Sequence, residues 1–215
     1  MQLSEKYRPQ TWGDFKGQDK AIARIKAILA LPSFDRGAFL LTGSSSSGKT
    51  SAAHVIAAQL GCADMMSLTE IKGQDCDVAS LRKLSDWFSY VSPTASGFKV
   101  AIVNECHNMS QAARAYALEL MEAPPAKRVI ILTTTETDWA DETLFSRFYR
   151  IQFAKPHSEA IVEHLERVAQ REGFDVAGLN LKRFVQERHN NIRLCLLDLE
   201  IEAAVARAES QAIAA

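Results

Sequence analysis

The sequence predicts an α/β fold, a parallel sheet flanked by helices and followed by a small helical domain, and three patterns carry that expectation. Short apolar runs alternate with helical periodicity through the first two-thirds of the chain. One of those runs, Val100-Ala101-Ile102-Val103, shows no in–out alternation, as a strand covered on both faces should read. After Phe153 the strand signals stop and only helical patterns remain.

In chain order, the expected strands are Ala38 to Thr42, Met66 to Ile71, Lys99 to Val103, Val129 to Thr133 and Tyr149 to Phe153. Between them Val78, Leu81, Leu84, Phe88 and Val91 recur at helical spacing, as do Ala113, Tyr116, Ala117, Leu120 and Met121. Strands alternating with helices imply a parallel sheet with right-handed crossovers. From Ser158 onward the pattern predicts helices over Ser158 to Glu172, Leu181 to Arg188 and Ile192 to about Ser210, punctuated by Pro156 and the Gly173 and Gly178 region. A boundary near Ala154 therefore divides an α/β domain, residues 1–154, from a helical domain, residues 155–215. No internal repeat is visible, and the small-residue tail from Glu209 to Ala215 is expected to fray.

Composition narrows the function classes. The chain has 215 residues, 47% hydrophobic and 24% charged, with a formal net charge of -1, as an ordinary globular protein does. A protein binding nucleic acid over its whole surface should be more basic, so any such contact must come from a local patch or from several copies in a ring. Met1 to Pro9 is polar and lacks the apolar core of a signal peptide, and no apolar run approaches membrane-spanning length. Cys62, Cys76, Cys106 and Cys195 form no CxxC pair and read as buried free thiols rather than a zinc site. These features place the chain in the cytoplasm by default, with no membrane partner.

The strongest chemical signal is Gly43-Ser44-Ser45-Ser46-Ser47-Gly48-Lys49-Thr50, which fits G-x-x-x-x-G-K-S/T at every required position. Glycines let the backbone curl so that its N–H groups converge on phosphates, and the following helix, read from Ser51 to Leu60, adds its positive N-terminal dipole. Lys49 supplies a charge to the β- and γ-phosphates, and the Thr50 hydroxyl ligates Mg²⁺. An apolar strand before the loop and a helix after it separate this match from a serine-rich linker. The motif makes ATP and Mg²⁺ the expected ligands of a P-loop nucleotide site.

Such sites also need an acid at the end of a neighbouring strand. Val100 to Val103 runs into Asn104-Glu105-Cys106-His107, which places Glu105 to orient or deprotonate the attacking water. The preceding position would ordinarily be an Asp that helps hold magnesium, and here it is Asn104. An amide can accept a hydrogen bond but brings no negative charge to a cation. Two readings stand: Asn104 weakens magnesium binding and slows turnover or leaves a nucleotide switch, or the triphosphate and Thr50 hold the metal well enough. Cys106 and His107 lack a third orienting group nearby, which argues against a nucleophilic pair.

With these motifs placed, the rest of the chain resembles the AAA+ ATPase domain of DNA sliding-clamp loader subunits, similar to the small subunits of replication factor C and to bacterial gamma/tau. The opening Glu5-Lys6-Tyr7-Arg8-Pro9, then Trp12-Gly13-Asp14-Phe15-Lys16-Gly17-Gln18, resembles the family's K-Y-R-P and F-x-D-x-x-G-Q. The resemblance implies that Tyr7, Arg8, Pro9, Phe15, Gly17 and Gln18 close over the adenine. It also implies that the loop residues Gly43 to Thr50 and the adjoining Ser51 hold the phosphates. Glu70-Ile71, Asp77-Val78 and Leu81-Arg82 are similar to the segment after the family's second strand. Leu120-Met121-Glu122-Ala123-Pro124-Pro125 looks like its L-E-E-P-P.

Ile131-Leu132-Thr133-Thr134-Thr135 resembles the strand carrying the first sensor, which falls on Thr135. Leu144-Phe145-Ser146-Arg147-Phe148 resembles I-x-S-R-C, so Arg147 is implied to be the finger inserted into a neighbouring subunit's site, with Phe148 in place of Cys. Asn190-Asn191-Ile192-Arg193 resembles G-D-x-R without its Gly and Asp, which makes Arg193 the implied sensor on a helical lid. Catalysis would then rest on Lys49, Glu105, Thr135 and Arg147, with Thr50 and Asn104 at the metal.

The family implies an assembly of AAA+ subunits, a sliding clamp as partner, and DNA met through the assembly. Lys72, Arg82, Lys83 and Arg114 could line a DNA path. Clamp-loader subunits carry a further helical collar that the resemblance here does not reach. Either the sequence is a piece of a longer protein, or the protein assembles without a collar and clamp loading itself comes into question. Two rivals differ in class: a nucleotide-responsive scaffold without turnover, and an AAA+ regulator of another DNA-associated branch, such as transposition or defence.

Overall fold

A computed structural model describes residues 1–122, 124–136, 147–176 and 178–214 of the chain, with side chains as far as residue 208. At its centre lie five parallel strands: β1 (Gly37–Thr42), β2 (Leu68–Lys72), β3 (Lys99–Asn104), β4 (Arg128–Thr134) and β5 (Tyr149–Gln152), in the order β2-β3-β4-β1-β5. Leu40 pairs with Leu132 on one side and with Arg150 on the other, which fixes β1 between β4 and β5.

Strand pleating sorts the apolar residues into two layers, because successive side chains point to opposite faces. Phe39, Leu41, Val100, Ile102, Val129 and Ile131 meet helices α2 (Asp19–Leu29) and α3 (Lys49–Gln59) through Ile22, Ile25, Ala52 and Ile56. Ala38, Leu40, Ala101, Val103, Ile130 and Leu132 meet α4 (Val78–Ser89) and α5 (Gln111–Glu122) through Leu81, Leu84, Phe88, Ala113 and Met121. Both faces are thus dry, which is why β3 reads as an uninterrupted apolar run. Each such buried aliphatic side chain contributes about 1.5–3 kcal/mol relative to exposure.

The boundaries differ from the sequence reading in places with identifiable causes. β2 begins at Leu68 rather than Met66. The Asp64 carboxylate accepts hydrogen bonds from the Met66 and Ser67 amides at 3.0 and 2.9 Å, folding that stretch into a turn and leaving Met65 and Met66 exposed. α4 stops at Ser89, so Val91 is not on its apolar face but 89% exposed. Pro93 disfavours helical backbone just before it, and the Ser92 hydroxyl donates to the Phe98 carbonyl at 2.8 Å instead. The last helix keeps helical backbone through Ala214, past the expected fraying.

Beyond β5 come α6 (Ser158–Glu172), closed by Gly173 in the left-handed region (φ 68°), then α7 (Leu181–Glu187) and α8 (Ile192–Ala214). Ile161, Leu165, Val168, Val185, Cys195, Leu196 and Leu199 form a core of their own. Leu3, from the opening helix α1 (Leu3–Lys6), is buried in that same core. Tyr7 and Lys6 are both bonded to the Glu172 carboxylate at 2.5 Å. The segment from Tyr7 to Gln18 therefore runs from the helical layer to the sheet. Gln18 fastens the far end, its side-chain amide donating to the Ala154 carbonyl at 2.8 Å and accepting from the Ala154 amide at 3.0 Å.

Candidate functional site

The loop after β1 and the C-terminal ends of β2 and β3 border one cavity of about 530 Å³. In open α/β sheets this is where ligands bind. The loop after β1 forms its floor. Gly43 (φ 146°) and Gly48 (φ 99°) take backbone conformations that side chains rarely adopt, and a Cβ at Gly43 would sit 2.5 Å from the Phe153 carbonyl oxygen. No side chain caps the start of α3, so its first N–H groups face the loop. The hydroxyls of Ser46 and Ser47 are buried without a hydrogen-bond partner among the described residues. Lys49, only 5% exposed, folds its ammonium onto the Gly43 and Ser44 carbonyls at 2.9 and 2.8 Å. Burial lowers its pKa, Glu105 opposes that shift and Arg193 adds to it. Orphaned buried hydroxyls, open N–H groups and a desolvated cation form a donor set that fits an anionic phosphate chain.

The acidic end of the site is built by strand pairing. Asn104 closes β3, and its Oδ1 accepts from the Thr50 hydroxyl at 3.0 Å and the Thr133 hydroxyl at 3.1 Å. Its Nδ2 donates to the Glu70 carboxylate on β2. The other Glu70 oxygen lies 3.1 Å from His54 Nε2, and His54 sits one helical turn beyond Thr50 on α3. Thr50, Asn104, Glu70 and His54 thus form a chain of side-chain contacts that links α3, β3 and β2. Chiefly through His54, and against its own desolvation, the Glu70 carboxyl is held below its ordinary pKa. A hydroxyl, an amide oxygen and a nearby carboxylate, all hard oxygen donors, fit a magnesium ion that takes most of its ligands from phosphate and water.

Glu105 follows in the left-handed region (φ 51°, ψ 52°), a conformation that costs a non-glycine residue of order 1 kcal/mol or more. Its amide donates to the Thr133 hydroxyl at 3.2 Å, and its carboxylate accepts from Thr135 at 3.5 Å and lies 3.6 Å from His107 Nδ1. His107 is itself held by Thr134 at 3.0 Å. Cys106 is fully buried and its thiol is pushed well above the ordinary range by desolvation, so it presents no nucleophile.

Most of the residues singled out in the sequence line the cavity: Tyr7, Arg8, Pro9, Phe15, Gln18, Ser45 to Ser51, Asn104, Glu105 and Arg193. Arg8 also reaches Ser51, its Nε donating to Oγ at 3.4 Å, and the Phe15 ring packs against Gly48. Gly43 and Ser44 lie behind the wall, their carbonyls accepting from Lys49, Gly17 supplies a left-handed turn (φ 69°), and the Thr135 hydroxyl donates to Glu105. Arg147 stands away from the cavity and pairs with Glu122 of its own chain. Leu144, Phe145 and Ser146 of that motif, and Ala123 of the proline motif, lie outside the described residues. Among the basic positions considered for DNA, Lys72 lines the same cavity, and Arg114 donates to the carbonyls of His107 and Met109.

Sequence reasoning gave no site role to Glu70, His54 and Gly73. Gly73 follows β2 so closely on Glu105 that a Cβ there would lie 2.1 Å from the Glu105 carbonyl oxygen. All three become visible only when β2 is paired beside β3. On the lid side, Ile161, His164 and Leu196 complete the wall. The His164 pKa is lowered by burial and by Arg167.

A phosphate loop after β1, an acidic strand end one strand beyond β4 and a helical lid together define an AAA+-type P-loop fold. Comparison with known proteins agrees. The structure superposes on the Thermotoga maritima RuvB Holliday junction branch migration motor with a TM-score of 0.71 over 90% of this chain and 64% of that one, at 17% identity. A gamma-subunit-related DNA polymerase III protein from the same organism superposes with a TM-score of 0.57 over 71% of this chain and 52% of that one, at 21% identity. Residues 63–157 match the family described as "DNA polymerase III, delta subunit". The sequence is 28% identical to DNA polymerase III subunit gamma of Buchnera aphidicola over 92% of this chain, and 27% identical to subunit tau of Bacillus subtilis over 91%. The chain spans 60% and 38% of the lengths of those two relatives. Its likeness is thus to the AAA+ ATPase domain of the clamp-loader family. Among the described residues no helix is long and apolar enough to cross a membrane.

Proposed function

We propose that this chain is an ATP-binding, slowly hydrolysing AAA+ subunit of a clamp-loader-like assembly in the cytoplasm. The observation supporting this reading is convergence: the loop ending in Lys49 and Thr50, the Asn104-Glu105 pair and Arg193 of α8 line a single cavity. Lys49 leaves the Gly43 and Ser44 carbonyls to meet the β- and γ-phosphates, and the N–H groups of the loop and of α3 hold the oxygens between them. Thr50 and Asn104 would hold a magnesium ion, which would supply positive charge against those phosphates. Glu105 orients and accepts a proton from the attacking water, with Thr135 holding the carboxylate. Arg193 reports nucleotide occupancy to the lid. Arg147 of a neighbouring subunit completes the site, which makes hydrolysis depend on assembly. A sliding clamp is the leading remodelled partner, with DNA met through the assembled subunits.

Asn104 favours one other reading, a nucleotide-responsive subunit that binds without turning over. Steady-state ATPase with and without primed DNA separates the two, and comparison with Asn104→Asp tests whether the amide sets the rate. A slow rate in the native chain that rises in Asn104→Asp supports the first reading. Equal rates dismiss Asn104 as the cause of slowness, and no turnover at all supports the second. Failure to bind ATP or ADP in the presence of magnesium would overturn both.

A further inference from the structure

We infer that Glu70 supplies the carboxylate that Asn104 lacks, acting as the positioning residue of an acidic motif split between two strands. The inference rests on the nucleotide–magnesium reading of the cavity and adds to it a residue from β2.

An isolated asparagine at the end of β3 would be free to turn its amide either way, because oxygen and nitrogen have nearly the same shape. Here its surroundings choose. Two hydroxyls, on Thr50 and Thr133, donate to Oδ1, and the Glu70 carboxylate accepts from Nδ2. The reversed amide would set Oδ1 against a carboxylate, with two oxygens and no proton between them. Glu70 therefore points the amide oxygen at the Thr50 hydroxyl, the group expected at the metal. It also brings its negative charge to the same wall of the cavity. His54 fixes the carboxylate from behind at 3.1 Å. The charge ordinarily carried by one aspartate is thereby moved one residue outward, across the β2–β3 pairing, and the amide links it to the site.

An ordinary structural hydrogen bond predicts only that losing Glu70 loosens the strand end. A relocated charge predicts something more specific, rescue by moving the charge back. Glu70→Gln keeps the size of the side chain and removes the charge. Glu70→Gln with Asn104→Asp restores one carboxylate at the neighbouring position. Binding of Mn²⁺ to the ADP complex, read by electron paramagnetic resonance, measures the metal directly, and ADP affinity in EDTA monitors the fold and the phosphate loop.

Glu70→Gln is expected to weaken Mn²⁺ by about 10- to 100-fold, the usual cost of removing a group that orients a metal ligand. ADP affinity in EDTA should stay unchanged, and the double variant should recover most of the Mn²⁺ affinity. Asn104→Asp alone sets two carboxylates side by side and should gain less Mn²⁺ affinity over the native chain than the same change gains in the Glu70→Gln background. Native-like Mn²⁺ affinity in Glu70→Gln, or no recovery in the double variant, overturns the inference and leaves the nucleotide site standing. A native chain that binds neither ADP nor Mn²⁺–ADP overturns the site and the inference together.

Discussion

The proposed role of Glu105 as base rests on how its neighbours hold it. The backbone at φ 51° is strained for a glutamate, and the Thr133 hydroxyl accepting from its amide helps to hold it there. The carboxylate then meets Thr135 at 3.5 Å and stands near His107. Glu105→Gln keeps the shape and removes the proposed base, so turnover should fall by about 10²–10⁴-fold with nucleotide affinity retained, as single-turnover kinetics and equilibrium titration would report. A variant with the native rate would move the base elsewhere. The placement of Glu105 was legible in the sequence because an acid closing an apolar strand needs no long-range information. The placement of Lys49 and Thr50 at the cavity was legible for the same reason, since the glycine spacing around them is itself the loop geometry. Glu70 and His54 were not, because their roles exist only once β2, β3 and α3 are packed together.

At the scale of elements, the strand ends do two jobs. The C-terminal ends hold the site, and the turn after β2 touches it most closely at Gly73. Gly73→Ala would drive a methyl into the Glu105 carbonyl, so the Glu105 backbone must shift. A misplacement of about 1 Å at a catalytic group costs about 100-fold in rate. The expected phenotype is therefore a large loss of turnover with near-native ADP binding, and equal rates would show that the turn yields instead. The opposite ends of the strands carry the buried cations Lys99 and Arg128, which donate to backbone carbonyls. Arg128, 8% exposed, donates to the carbonyls of Phe88, Tyr90, Gly97 and Lys127 at 2.6 to 3.2 Å. It thereby ties the loop after α4 to the edge of the sheet. Arg128→Met should cost about 2 kcal/mol and lower the melting temperature by about 4–8 °C without changing the site. The sequence showed these strands through their apolar runs but misplaced the ends of β2 and α4. There Asp64 and Pro93 impose local turn chemistry that periodicity does not register.

At the scale of the molecule, the opening residues join the layers. α1 is buried in the helical core through Leu3, Gln18 is pinned to Ala154, and between them Tyr7 to Pro9 and Asp14 to Lys16 line the cavity. Sequence periodicity saw the helical layer but not that the first helix belongs to its core, because a four-residue helix carries no readable period. Arg147 faces a different direction. It stands off its own cavity and pairs with Glu122, whereas Lys49, Thr50, Asn104 and Arg193 all line that cavity. A guanidinium that serves a neighbour must be held in a fixed position on its own chain without entering its own site, and an ion pair with Glu122 meets that requirement. If Arg147 acts in a neighbouring site, Arg147→Ala should leave nucleotide affinity intact and remove the part of the rate that depends on assembly, a part worth about 10³-fold or more where such fingers act. Mixing Arg147→Ala with Glu105→Gln subunits sharpens the test. A Glu105→Gln subunit still offers its finger to an Arg147→Ala neighbour, so the mixture should regain turnover that neither variant shows alone. Recovery fails if the arginine acts only within its own chain, and an Arg147→Ala protein with the full stimulated rate would remove the finger altogether.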